Sequence, residues 1–466
     1  MTENRRPLLL LVNPRQTLRH YSVQFGLARL VGRRSIMPSL VLATLAAHTP
    51  DHWDIRILDE EVEKIPDDLK PDLVGITALT NTVDRAYELC LLFRRRGARV
   101  VLGGPHASYA VQETLLHANA VVVGEAETIW AQVLEDCETQ TMRRVYQGDG
   151  PFALETQRMP RWDLVDTAQY VSLPVQASRG CPYSCDFCLV ARMFGRKMRF
   201  RAIDSVIDEI KSLPLKRIFF VDDNFTINRR FANELIERLA PLGVSWSCQA
   251  SIDIADDEAL IRRMADAGCG QVLIGFESLN PESISETHKS QNRRERYERA
   301  IERIHGMGMH VIGSFIIGFD HDTIEELDRI LDFCDSTGLC FVSINVLGAN
   351  PGTALYERLE AEGRLRDVPN EWRGGMMPVI EYMRITQRDA LVEFSRALRK
   401  LFSYEAIGRR AKLLFGNGTF TRHHGDDDVS GGRKALTTLH LVRHFLFSRD
   451  KAKRRLFLWM LSQIRA

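Results

Sequence analysis

The chain has 466 residues, 45% of them apolar and 26% charged, with a formal net charge of +1. That length suits about three domains of ordinary globular composition, and the near-zero charge removes any global electrostatic case for nucleic acid as a partner. No apolar run approaches the ~18–20 residues that span a bilayer, the amino terminus runs from Met1–Arg6 straight into a short strand-like Leu8–Val12 rather than a signal peptide, and nine cysteines without such a signal suggest a cytoplasmic chain with reduced thiols.

Residues 1–140 alternate short apolar runs with amphipathic stretches. The runs are Leu8 to Asn13, Ile55 to Asp59, Leu73 to Ala78, Arg99 to Gly104 and Ala120 to Gly124, and helices are predicted over Leu40 to His48 and Val83 to Arg96. Runs this continuous indicate strands buried on both faces, and the alternation indicates an α/β domain with a doubly wound parallel sheet. Such sheets bind ligands where their strands end. The turns there are Asn13-Pro14-Arg15, Thr77-Ala78-Leu79-Thr80, Gly103-Gly104-Pro105-His106 and Gly124-Glu125-Ala126-Glu127. Glycines at two consecutive strand ends permit close backbone approach to a large ligand.

Residues 141–172 carry Gly148, Gly150, Pro151 and Pro160 with little periodicity and read as a linker with an ordered crossing near Trp162. Over 173–362 the βα alternation resumes. Strands are predicted at Val175 to Ser178, Arg217 to Val221, Trp246 to Ala250, Gln271 to Phe276, Val311 to Ile317 and Phe341 to Leu347. Helices between them are Asp204 to Leu213, Arg230 to Leu239, Asp257 to Ala267, Arg293 to Met307 and Thr323 to Cys334. Six βα units are too few for a complete eight-stranded barrel and fit an open, six-stranded partial one.

Directly after the first of these strands stand Cys181, Cys185 and Cys188, spaced CxxxCxxC, with no other Cys or His between Cys137 and Cys248. A structural zinc site would want a fourth local ligand. Three thiolates from one loop suit a cubane iron–sulfur cluster with one iron left open, and the plainer alternatives are a redox-inert cluster or three buried thiols. The other six cysteines lie in apolar contexts and read as core.

With Phe187 just before the last cysteine, this pattern resembles the radical S-adenosylmethionine (SAM) superfamily. The resemblance implies a partial (β/α)6 barrel, SAM chelated on the open iron of a [4Fe-4S] cluster, and cleavage to a 5′-deoxyadenosyl radical. It also implies SAM contacts at carboxyl strand ends: Asp222, Asp223 and Asn224 for the amino group, Glu277 and Ser278 for the sulfonium side and ribose, and Gly313, Ser314, Ile316 and Phe187 for the adenine. Taken singly, an Asp pair after a strand is as readily a helix cap. Tyr183 and Asn345 are conceivable substrate-side groups, and Asn350 to Tyr356 reads as a turn capping the next helix.

The amino-terminal domain is similar to the cobalamin (B12)-binding domain that precedes this core in one large subgroup. Its cobalamin-facing loops would correspond to Asn13 and Pro14, Thr77 and Thr80, Gly103, Gly104, Pro105 and His106, and Gly124 and Glu125. The D-x-H-x-x-G sequence that places an imidazole on cobalt is absent. The alternative is a flavodoxin-like domain that holds no cofactor.

From 363 the rhythm stops. Gln387 to Phe402 and Tyr404 to Leu414 read as amphipathic helices, Gly416 to Gly432 as a loop, and Arg433 to Ala466 mixes seven or more cations with Phe445, Phe447, Phe457, Trp459 and several Leu. A basic amphipathic tail of this kind fits a membrane interface, peripheral to the inner membrane face, and equally fits packing against the core or a partner helix. The whole arrangement is similar to hopanoid methylase-like enzymes. It implies a cobalamin-dependent methyltransferase acting on an unactivated carbon of a small-molecule or lipid substrate, with an external electron donor such as flavodoxin or ferredoxin. The alternatives are a radical cyclisation, rearrangement or oxidation without methyl transfer, and a non-catalytic iron–sulfur scaffold or sensor bound to a membrane.

Overall fold

The computed structural model describes residues 5–17, 28–29, 31–289, 291–416 and 431–464. It contains two compact units, the first built mainly from Met37–Pro214 and Gly348–Ile380 with the amino-terminal strand, the second mainly from Leu215–Leu347 and the chain after Glu381.

In the first unit, β1 (Leu8–Asn13), β2 (Asp54–Asp59), β3 (Leu73–Thr77), β4 (Arg99–Gly103), β5 (Ala120–Val123) and β6 (Val145–Gln147) form one sheet in the order β2-β1-β3-β4-β5-β6. Every pairing is parallel. The strands are apolar throughout because both faces are covered. Leu10 and Val12 join one core cluster with α2 (Val83–Arg95), while Leu9 and Leu11 join the other with α1 (Leu40–Ala47) and α3 (Trp130–Glu138). The doubly wound expectation holds.

The stretch expected as a linker is more ordered than its composition indicates. It supplies β6, whose Tyr146 is buried and donates its hydroxyl to Asp136 at 2.9 Å. Trp162 is buried as expected, its indole N–H 3.5 Å from Glu209. That carboxylate is fully enclosed and paired with Arg201. Next come β7 (Leu173–Val175) and a two-residue antiparallel ladder of β8 (Ser178–Arg179) with β9 (Arg199–Phe200), between which the cysteine loop is slung. α4 (Ile203–Ser212) follows.

In the second unit, β10 (Arg217–Phe220), β11 (Ser245–Gln249), β12 (Cys269–Glu277), β13 (His310–Ile317) and β14 (Phe341–Val346) pair in sequence order, all parallel. They alternate with α5 (Arg229–Leu239), α6 (Glu258–Asp266), α7 (Tyr297–Gly306) and α8 (Glu326–Thr337). These are five of the six strands expected of the second βα series; the first, expected at Val175 to Ser178, is found in the first unit as β7, which starts two residues earlier and ends at Val175. Burial here has period two: Trp246, Cys248, Val272, Ile274, Val311, Phe315, Val342 and Ile344 are enclosed, while the residues between them are half-buried. One face therefore packs on helices and the other is more open.

The carboxyl-terminal helices are α9 (Gln387–Leu401), α10 (Tyr404–Gly416), α11 (Gly431–Leu446) and α12 (Lys451–Ile464). The Asp426-Asp427-Asp428 segment and most of the loop expected around it lie outside the described residues.

Candidate active site

The cysteine loop in the first unit is fixed at its neck and its middle. Gly180 has φ +100°, and a Cβ there would meet the carbonyl oxygens of Lys197 at 2.9 Å and Gly195 at 3.2 Å, so the residue before Cys181 is a glycine of necessity. Cys181 N–H donates to the Gly195 carbonyl, and Cys188 N–H to the Cys185 carbonyl at 3.0 Å. From the other side, the Leu355 N–H donates to the Asp186 carbonyl at 2.9 Å. This N–H belongs to the Asn350–Tyr356 turn, where Thr353 caps the helix Ala354–Ala361 as expected, its hydroxyl accepting from the Tyr356 N–H.

Cys181, Cys185 and Cys188 are partly exposed. Among the described residues no group of three His, Cys, Asp or Glu is gathered closely enough to hold a single metal ion. A cubane offers its irons at separate corners and takes one thiolate at each, so three thiols on one loop suit it chemically. By contrast Cys90, Cys248, Cys269 and Cys334 are buried. Burial pushes the thiols of Cys90 and Cys334 up to about 12, so they stay protonated and inert as ligands.

In the second unit the expected SAM contacts after β10 and β12 fall at strand ends. After β10, Asp222 and Asn224 are buried and Asp223 half-buried. The Asn224 amide donates to the Ser251 hydroxyl at 2.8 Å, while its carbonyl oxygen is enclosed with no partner among the described residues. An orphaned buried acceptor suits an incoming ammonium group. After β12, Glu277 is held at φ +65°, a left-handed conformation that non-glycine residues adopt where the surroundings compel it. The compulsion comes from a register shift between Gly275 and Glu277 and from donors aimed at the strand end. Asn292 donates to the Gly275 and Phe276 carbonyls and the Tyr297 hydroxyl to Phe276. Lys289 donates to the Gly275 carbonyl and sits 2.6 Å from the Glu277 carboxylate. Lys289 is a residue that sequence reasoning passed over. Ser278 is almost fully buried, its hydroxyl accepting from the Asn280 N–H.

Within β13 the three expected residues part company. Ser314 and Ile316 lie on the half-open face, whereas Gly313 lies on the enclosed one, where a Cβ would come 2.6 Å from Leu339. Gly313 is a glycine for packing rather than for ligand approach. Register puts Ser314 beside Gly275 and Ser343, and Ile316 beside Asn345. Ser247, Gln249 and Gln271 share the half-open burial pattern in neighbouring strands. The period-two polarity of S-W-S-C-Q and F-V-S-I-N-V was the available signal for this polar face.

The cobalamin-side turns of the first unit are equally mixed. Asn13 donates its amide sideways to Asp59 at 2.9 Å, which also accepts from the Tyr170 hydroxyl; Pro14 is buried beside it. Thr77 is half-buried and Thr80 buried, while the residue displayed at that turn is Leu79, 53% exposed. Gly103, Gly104 and Pro105 are half-buried. Gly104 has φ +97°, and a Cβ there would strike Thr77 and Ala78 at 2.9 Å, so it serves the turn itself. His106 is turned inward, with Nε2 3.4 Å from the Tyr87 hydroxyl and 3.5 Å from Glu113. At Gly124 a Cβ would meet nothing, which leaves open space at the end of β5. Glu125 beside it is buried between two arginines. An apolar Leu79 and bare backbone at Gly103 and Gly124 fit a broad, largely apolar macrocycle. The side chains of His106 and Glu125 are committed inside the protein instead.

Residues 175–334 match the model of the Radical SAM superfamily, and residues 29–134 match that of the B12 binding domain. The chain is 28% identical to the bacteriochlorophyllide d C-12(1)-methyltransferase of Chlorobaculum tepidum, over 80% of this chain and 83% of that one. It is 27% identical to the hopanoid C-2 methylase of Rhodopseudomonas palustris, over 77% and 71%. Among solved structures, the radical SAM methyltransferase TsrM from Kitasatospora setae, with cobalamin and a [4Fe-4S] cluster bound, superposes with a TM-score of 0.65 at 17% identity, covering 85% of this chain and 89% of that one. The chain belongs to the radical SAM superfamily, in the branch that joins this core to a B12-binding domain and includes methyltransferases, and with that family come a [4Fe-4S] cluster, SAM and cobalamin as cofactors.

Proposed function

We propose that this enzyme transfers a methyl group to an unactivated carbon of a small-molecule or lipid substrate. The observation that carries the reading is the presence in one chain of the CxxxCxxC loop and the open, glycine-turned end of a B12-binding sheet. When bound, the cluster with SAM supplies a hydrogen-abstracting radical and cobalamin supplies the methyl group.

The protein's own part is placement. Cys181, Cys185 and Cys188 would anchor the cluster on a loop held at Gly180 and Asp186. The Asn224 carbonyl oxygen would accept from the SAM amino group, and Asp222 would hold negative charge nearby. Glu277, already paired with Lys289, would offer its second carboxylate oxygen to a ribose hydroxyl while Ser314 and Ile316 border the adenine. On the cobalamin side, the Leu79 side chain and the backbone at Gly103 and Gly124 would meet the ring. In the second unit, the half-open face of the strands carries Ser247, Gln249, Gln271, Ser343 and Asn345, which would orient a substrate by hydrogen bonds within an otherwise apolar barrel.

Radical SAM enzymes take their electron from an external donor, and a small acidic carrier such as flavodoxin or ferredoxin would serve. The tail would bring the enzyme to a lipid surface. Phe447, 77% exposed, and Leu458, 54% exposed, stand among exposed Arg443, Arg449, Lys451 and Arg455. No helix among the described residues is long and apolar enough to cross a membrane.

The test is anaerobic reconstitution with iron, sulfide and cobalamin, followed by incubation with SAM, a reductant and candidate lipid or small-molecule substrates. About four irons and one cobalamin per chain, with both 5′-deoxyadenosine and S-adenosylhomocysteine formed alongside methylated product, are expected. Formation of 5′-deoxyadenosine alone in the presence of a consumed substrate would replace methyl transfer by a radical cyclisation, rearrangement or oxidation.

A further inference from the structure

Glu125, at the carboxyl end of β5, receives two guanidinium groups. Arg179 Nη1 lies 2.5 Å from its Oε2, and Arg199 grips it through both nitrogens, Nη2 to Oε1 at 2.7 Å and Nη1 to Oε2 at 2.9 Å. Glu127, from the same turn, takes the other side of Arg179 at 2.9 Å, and the Gln176 side-chain oxygen accepts from Arg179 as well. Arg199 also donates to the carbonyls of Phe152 and Phe194. The four charged side chains are between 5% and 13% exposed.

The position of the two arginines makes this group more than a stray ion pair. Arg179 and Arg199 are direct cross-strand partners in the β8–β9 ladder. That ladder is the neck of the cysteine loop, with Cys181 two residues beyond Arg179. Two like charges opposite one another in an antiparallel pair repel, and buried ones cannot hand their charge to water. The neck therefore closes only when carboxylates neutralise both, and those carboxylates come from the turn that ends β5, beside the open space at Gly124. Two glutamates against two arginines leave the group neutral.

We infer that Glu125, Arg179 and Arg199 form a positioning clamp, by which the cobalamin-side turn after β5 holds the cysteine loop in register for its cluster. Glu125 acts through the arginines and touches neither substrate nor cofactor. Glu127 and Gln176 complete the coordination of Arg179 and tolerate change better, because each engages one arginine only.

The test compares unsubstituted protein, Glu125→Gln, and Glu125→Gln combined with Arg199→Gln, all reconstituted anaerobically. Iron and cobalamin content of the unsubstituted protein are read first, so that a chain holding no cluster counts against the functional reading and not against the clamp. Three readouts follow: bound iron, the electron paramagnetic resonance spectrum of the reduced cluster with and without SAM, and bound cobalamin by visible absorption. Glu125→Gln is expected to lower iron content severalfold and to broaden or abolish the SAM-induced change in the cluster spectrum, with cobalamin retained. Removing one facing cation in the double variant should restore much of the iron. Arg199→Lys, which keeps the charge without the bidentate fork, gives the same readouts if the glutamine variant does not fold. Loss of cobalamin with an unchanged cluster spectrum would make Glu125 a cobalamin contact and overturn the inference, and so would a variant indistinguishable from the parent.

Discussion

Chemistry in this chain is set by which cysteines water can reach. Cys181, Cys185 and Cys188 are partly exposed on their loop, whereas Cys90, Cys248, Cys269 and Cys334 are buried, and burial disfavours the thiolate at Cys90, Cys248 and Cys334. In cofactor-free native protein a thiol reagent at pH 8 should therefore label the loop cysteines within minutes and the four buried ones only after denaturation. Replacing Cys185 by Ala should remove the cluster's absorption and all SAM cleavage while leaving the far-ultraviolet spectrum intact. Fast labelling of Cys90 or Cys334 in the native state would mean that the core assignment is mistaken. At this scale the sequence was readable where spacing alone carries the signal, as in the cysteine triplet of the radical SAM match and in the placing of Asp222 after β10, Glu277 at the end of β12 and Ser314 within β13. It was not readable where a partner arrives from a distant element. Nothing around Glu125 distinguishes an acid facing a ligand from one facing Arg179, 54 residues downstream, and nothing around Lys289 announces that it neutralises Glu277.

Among the elements, legibility followed the length of the pattern. The sequences of β1 and α2 declare themselves because a strand buried on both faces and a three-turn amphipathic helix each repeat their signal several times. β6 escaped notice because a three-residue strand, Val145–Gln147, carries one buried side chain. β13 illustrates a subtler loss: H-V-I-G-S-F-I-I reads as apolar overall, and only the burial pattern separates the enclosed face of Val311, Gly313 and Phe315 from the half-open one of Ser314 and Ile316. The same βα unit carries a titratable element. His305, on α7, is 2% exposed, its Nε2 accepting from the Val311 N–H at 3.4 Å. Burial, and to a lesser degree the charge of His310, lowers its pKa to about 4. The folded chain therefore keeps His305 neutral while the unfolded chain protonates it below about pH 6.5. Its contribution is complete above that value and is lost as pH falls from 6.5 towards 4, by about 2 kcal/mol on reaching pH 5. His305→Gln retains an acceptor for the Val311 N–H but does not titrate. Denaturant melts at pH 7 and pH 5 should show a smaller drop in the variant than in the parent; equal drops would place the acid sensitivity elsewhere.

For the molecule as a whole, the near-neutral net charge conceals a strong asymmetry. Residues 431–466 carry nine Lys or Arg and a single acid, Asp450. One side of the α11–α12 pair packs on α10: Leu456 is buried against Gly408, Phe445 stacks on Phe457, and the Lys453 ammonium lies over the Tyr404 ring. The other side shows Leu439, Phe447, Leu458 and Leu461 to solvent among the cations. Positive charge around an exposed Phe matches an anionic bilayer, where each cation near the surface contributes about 1 kcal/mol and apolar side chains enter the headgroup boundary. The full-length protein should sediment with phosphatidylglycerol-containing vesicles and much less with pure phosphatidylcholine, and raising salt should weaken the association, since exposed charges are screened. Phe447→Ser with Leu458→Ser should reduce binding at least tenfold with the melting temperature unchanged, because both side chains are exposed in the folded chain. A dimer in solution that these two substitutions dissociate, without vesicle binding by the parent, would assign the same face to a second copy of the chain and remove the lipid surface from the functional picture.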